Sequence, residues 1–198
     1  MRLRSLVRCG ALAAVVATTA SCGDMVRSSR SPVMLVVTSL TAGTSTGTFN
    51  SDVLNNRTTP APCSAASPCP TILNDVGSAS LSVIMKDMTL APSTNNDVTI
   101  TRYRVEYRRA DGRNEPGRDV PYPFDGASTA TILAGGSGSV GFELVRHVAK
   151  AESPLVQLVG KREVINMIAE VTFFGRDQVG NELSATGSIS ISFADFGG

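Results

Sequence analysis

The residues that could support chemistry are few, and each has a simpler use. His147 is the single histidine in the 198-residue chain, so any serine or cysteine nucleophile that needs an imidazole base would have to use it. It follows Leu144-Val145-Arg146, which reads as the end of a strand, and no Gly-x-Ser-x-Gly elbow occurs in the sequence. Asp177, Asn181 and Glu182 offer oxygens of the kind calcium accepts, but Asp, Asn and Gly are also what a hairpin turn requires. Gly135, Gly136, Gly138 and Gly141 in LAGGSGSVG look like a phosphate loop, but no helix and no Lys-Ser/Thr pair follows, so they read as an inter-strand loop. The sequence therefore predicts no catalytic set, no cofactor and no metal: a protein that is not an enzyme.

Arg102, Arg104 and Arg108, with Arg109 and Arg113 just beyond, form the densest charge cluster. The first three make a candidate docking face for a carboxylate-rich partner or anionic headgroups, although Glu106 lies in the same row and a solvated strand face accounts for the same residues. The formal charge is +1, and Arg2, Arg4 and Arg8 stand in the first 21 residues with no acid beside them, which leaves the rest near −2. With no basic stripe, nucleic acid is not an expected partner.

The chain opens with a basic head, MRLRSLVR, then an apolar stretch, CGALAAVVATTA, then SCGD. That order is a secretory leader, too short to span a bilayer, which takes about 20 apolar residues. Thr19-Ala20-Ser21-Cys22 resembles the lipobox of bacterial lipoproteins, with Thr19 where those families usually carry Leu. The resemblance implies a signal peptide over residues 1–21, acyl chains on Cys22, and a membrane as partner through that anchor. An ordinary leader cut after Ala20 or Ser21 fits the same residues. Each buried methylene contributes about 0.8 kcal/mol, so two or three acyl chains hold a small domain far longer than one. Gly23 is not the Asp that marks retention in the inner membrane of such families, so the resemblance places the protein at the outer membrane. Once Cys9 leaves with the leader and Cys22 is acylated, Cys63 and Cys69 remain, and an oxidising compartment favours a bridge between them.

Residues 22–32 read as the lipidated cysteine and a flexible tether, and residues 33–198 as one folded domain. Val33 to Leu40 is a β-branched run of strand length. Residues 41–71, rich in Thr, Ser, Asn and Pro, read as a long loop carrying the cysteine pair. Beyond it, apolar residues alternate with polar ones: Leu81, Val83 and Met85, with Ile84 on the outer face; Tyr103, Val105 and Tyr107; Val140, Phe142 and Leu144; Ile165 through Phe173; and Ile189, Ile191 and Phe193. Gly175 to Asn181 reads as a hairpin connection. The nearest helical pattern, His147 to Val159, is interrupted by Pro154. The expected fold is all-β, an antiparallel two-sheet sandwich with Tyr103, Val105, Tyr107, Phe142, Leu144, Met167, Val171, Ile189 and Ile191 in its core.

TRYRVEYRRADG and the later AEVTFFGRDQVGNELSATGSISISF resemble the Ig-like and fibronectin type III-like sandwiches of bacterial surface proteins. Tyr103, Val105 and Tyr107 match the Tyr-x-Val-x-Tyr row of type III modules, while their frequent core tryptophan has no counterpart, since the chain contains no Trp. The resemblance implies architecture only; the lipid tether, the sandwich and the lack of a catalytic set together imply a non-enzymatic envelope module that binds a protein or glycan or supports a larger surface assembly. Two alternatives stand beside it. One is an accessory subunit of an envelope transport or secretion complex. The other is an exported enzyme or ligand-binding protein with residues 41–71 as a lid over Asp52 and Asp75.

Overall fold

The structure is a computed structural model that describes residues 30–43 and 47–197. The leader, Cys22 and most of the tether lie outside these residues. The fold is all-β and sandwich-like. One sheet carries β1 (Val33–Ala42), β5 (Asp75–Met85) and β8 (Ser137–Val145) in the order β1-β5-β8. The second has the order β2-β10-β9-β6-β7, from β2 (Phe49–Asp52), β6 (Val98–Arg108), β7 (Phe124–Ile132), β9 (Ile165–Asp177) and β10 (Glu182–Ala194). A small ribbon pairs β3 (Asn55–Arg57) with β4 (Cys69–Thr71).

Alternation sets the register. In β9, Met167, Ala169, Val171 and Phe173 are buried, and a one-residue slip would turn all four to solvent. All nine expected core residues are buried, and they form one cluster between the sheets. Two tyrosines of β6 cross that core: Tyr107 donates its hydroxyl to the Leu144 carbonyl at 2.6 Å, and the Glu143 amide donates to the Tyr103 hydroxyl at 2.9 Å. Buried hydroxyls thus find partners on the facing sheet, as burial demands. Tyr103 needs Gly126 on β7 to do so, since a Cβ there would stand 2.2 Å from its ring.

The structure corrects three expectations and adds one strand. Residues 41–71 are not one loop: β1 continues to Ala42, β2 runs parallel to β10 from the pair Ile191↔Phe49 to Ala194↔Asp52, and β3 and β4 follow. Strand β7 carries mainly small and polar residues, which hide its period. Gly175 belongs to β9 rather than to the turn, where a Cβ would meet the Thr99 carbonyl oxygen at 2.8 Å; the turn's positive φ falls on Gly180, at 91°. His147 does not end a strand but opens a short helix, α1 (His147–Ala151), followed by a 3₁₀ turn at Leu155–Leu158 just past Pro154.

The sandwich has two unlike ends. At the proximal end, where Arg30 leads into β1, lie the loop 86–97, the β7–β8 turn and the β9–β10 turn. At the distal end lie β3 and β4, the long connections 109–123 and 146–164, and residues 195–197.

Candidate functional site

The arginine face is held by β6. Arg102, Arg104 and Arg108 project outward because Tyr103, Val105 and Tyr107 take the inward positions. Arg102 lies 3.3 Å from Asp125, with its guanidinium 3.6 Å from the centre of the Phe174 ring. Arg104 meets Glu106 at 2.8 Å and Asp125 at 2.9 Å, and Arg108 meets Glu170 at 2.9 Å. Three guanidinium groups thus face three carboxylates, from Glu106, Asp125 and Glu170, so the face presents a neutral mosaic rather than a positive field. Exposed pairs of this kind contribute about 0–1 kcal/mol each. Arg109 and Arg113 converge on Asp111, and their hydrogen bonds hold its carboxyl well below the usual range.

Among the described residues, a buried charged cluster lies at the distal end, around a cation that the sequence pattern does not single out. Lys150, on α1, is 1% exposed; its Nζ donates to Asp75 Oδ1 at 2.9 Å and to the Asp52 carbonyl at 2.8 Å. The Ser51 hydroxyl donates to the other oxygen of Asp75 at 2.5 Å. Burial pushes the Asp75 carboxyl above its ordinary value, with Lys150 and then Ser51 opposing that shift. Serine and lysine together suggest an activated nucleophile, but Ser51 is fully buried and its proton is committed to Asp75. The cluster instead fastens β2 and α1 to the root of β5.

The two acids read as lying beneath a lid, Asp52 and Asp75, both have partners inside the fold. The Asp52 carboxylate accepts from the Leu54 and Phe196 amides at 3.3 and 3.1 Å and from the Asn55 side chain at 3.1 Å. Asp52 and Asp75 therefore spend their oxygens inside the fold. Cys63 and Cys69 form a disulfide, with Cα atoms 5.3 Å apart, that closes the loop before β4.

The remaining candidates resolve into turn chemistry. Asp177 is buried, and its carboxylate accepts from the Val179 and Asn181 amides and the Asn181 side chain at 3.2, 2.8 and 2.7 Å. That set closes the β9–β10 turn. Gly135, at φ 77°, donates its amide to the Val83 carbonyl at 2.8 Å, and Gly136 donates to Leu133 at 2.9 Å. The Gly135 amide ties the β7–β8 turn to β5 and the Gly136 amide closes the turn on itself, so both are engaged within the protein. His147 Nδ1 lies 2.9 Å from Asn74 Oδ1, which also accepts the His147 amide at 2.6 Å. Lys150 went unread because one lysine in HVAKA carries no periodic signal, and its partners lie 75 and 98 residues away.

No known protein family matches the chain, and no curated protein does. Among solved structures it is similar to one described as "X-ray structure of Northeast Structural Genomics Consortium target SoR45", at 10% identity over 81% of this chain and 86% of that one, with a TM-score of 0.36.

Proposed function

We propose that the chain is a lipid-anchored module of the bacterial cell envelope, with its leader removed, Cys22 acylated, and an Ig-like sandwich held at the outer membrane to bind a protein or glycan without catalysis. The observation that carries this reading is how the polar groups are used. The clustered groups of the distal end, Ser51, Asp75 and Lys150, satisfy one another inside the fold, and Asp177 is consumed by a turn. What is left for a partner is surface, not a reactive pocket. The Cys63–Cys69 bridge supports an oxidising compartment. The Ig-like subtype draws on the Tyr103-Val105-Tyr107 row in the core and on sheets of three and five strands, antiparallel except for β2, facing one another.

The anchor is tested by replacing Cys22 with Ser in the full chain. Wild type should take up labelled palmitate and sediment with membranes, while Cys22→Ser should lose the label and become soluble. A Cys22→Ser protein that still sediments, or a wild type without label, would refute the anchor.

A further inference from the structure

The proximal end exposes a continuous apolar surface. Met34 on β1 and Ile84 on β5 are cross-strand partners on the outer face, 43% and 41% exposed. Ile84 continues into an open groove lined also by Met88, Leu90 and Pro92, with Met88 90% exposed and Leu90 54%. Pro92 packs beside the β7–β8 turn, where a Cβ on Gly135 would stand 3.2 Å from its ring, and Leu133 of that turn is 65% exposed. Two acids of the same loop are turned to its own bonds: Asp87 accepts from the Thr89 amide at 2.9 Å, and Asp97 accepts from the Ala134 amide at 2.8 Å. An apolar surface drawn from two strands, a loop and a turn marks an interaction site more than a scatter of single residues does.

The position of this surface names its occupant. The chain enters β1 at the same end, and Lys86 donates its amide to the Pro32 carbonyl at 2.9 Å, so the start of the domain is pinned beside the patch. Between Cys22 and Val33 stand the ten residues 23–32, which reach at most about 36 Å when fully extended. The thirteen residues of β10 rise about 40 Å, so even a fully extended tether does not outreach the sandwich. The proximal end, where the chain enters, is therefore the end held nearest the membrane that carries the lipid. We infer that Met34, Ile84, Met88, Leu90 and Leu133 form a membrane-seating surface that dips into the headgroup region of the bilayer carrying the anchor. This rests on the acylation of Cys22 proposed above. The distal end then faces away from the bilayer, towards whatever the module binds.

The chain contains no tryptophan, so a single introduced indole reports its own surroundings. The full-length, exported Met88→Trp protein is purified in detergent and reconstituted into phosphatidylethanolamine/phosphatidylglycerol vesicles with brominated acyl chains. Val164→Trp, at a distal site 52% exposed, is the comparator, and Leu90→Trp repeats the proximal measurement should Met88→Trp fold poorly. Palmitate on Cys22 is assayed in each sample. The proximal indoles should emit to the blue of Val164→Trp and be quenched at least twofold by bromolipid, with the comparator unchanged. Acylated protein whose proximal indoles are not quenched would overturn the seating surface and leave the anchor standing. A blue shift without bromolipid quenching would mean that another protein chain covers the patch, and overturns it equally. Absence of palmitate would remove the anchor, and the seating surface with it.

Discussion

At the proximal end the side-chain caps are mostly local: Asp177 caps the β9–β10 turn from within five residues and Asp87 holds Thr89 two residues on, while Asp97 reaches Ala134 of the neighbouring turn across 37. At the distal end the segments are long, and distant side chains hold them. Lys150 joins residues 98 positions apart, Asp52 reaches Phe196 across 144, and Asn56 reaches the Gly197 carbonyl across 141. Local turn chemistry leaves apolar side chains free to face outward. Long-range closure draws polar groups in, as Ser51, Asp75 and Lys150 show by bonding to one another inside the fold.

If that contrast is right, the largest loss should follow from Lys150→Met. Breaking a buried pair by removing one partner costs about 3–5 kcal/mol, read as a lower denaturant midpoint. Adding Asp75→Leu should recover most of it, because no buried charge is then left unpaired; a double variant no better than the single one would break the comparison. The pH dependence sharpens it. Burial raises Asp75 above 3.8, so the unfolded chain gives up this proton at a lower pH than the folded one, and folding becomes less favourable as pH rises through that interval. Without Lys150 the interval extends upward, so the Lys150→Met loss should shrink as the pH falls towards about 4.

A smaller effect is expected at the proximal end. Asp177→Ala leaves the Val179 and Asn181 amides without their acceptor, at a cost of about 1–3 kcal/mol, and raised hydrogen exchange should stay confined to the β9–β10 turn. Exchange spreading into β2 or α1 would show that the ends are not independent. The smallest is the disulfide. Its cysteines are six positions apart, and so short a loop constrains the unfolded chain by no more than about 2 kcal/mol. Replacing Cys63 and Cys69 with Ser should lower the global melting transition by no more than several degrees while speeding proteolysis between β3 and β4. A collapse of the whole domain would assign the bridge a larger part than its position gives it.

The legible parts of the fold follow the same division. Strands β6, β9 and β10 announce themselves because large side chains alternate with charged or hydroxyl ones, and their core residues could be named one by one. Strand β7 could not, because Ala127, Ser128, Thr129 and Ala130 carry almost no contrast, and its place is set by Tyr103 needing Gly126 beneath its ring. Strand β2 was equally silent: a four-residue strand is defined by its parallel partner β10, and nothing in FNSD specifies that partner. The arginine face was visible as residues but not as a neutral surface, since Asp125 and Glu170 come from β7 and β9. The Lys150 cluster depends on contacts between segments far apart in the chain, and one-dimensional periodicity does not encode them.

The direction in which β1 enters has a mechanical consequence. Its ten residues run from the proximal to the distal end and pair with β5 from Val33↔Met85 to Ala42↔Gly77. Antiparallel hydrogen bonds lie perpendicular to the strands. A pull on the chain ahead of Val33, against a hold at the distal end, therefore acts along β1 and loads its ladder in shear, so that many bonds share the tension at once. Had the chain entered from the other end, the same pull would peel β1 away one bond at a time, like a zip opened from its end.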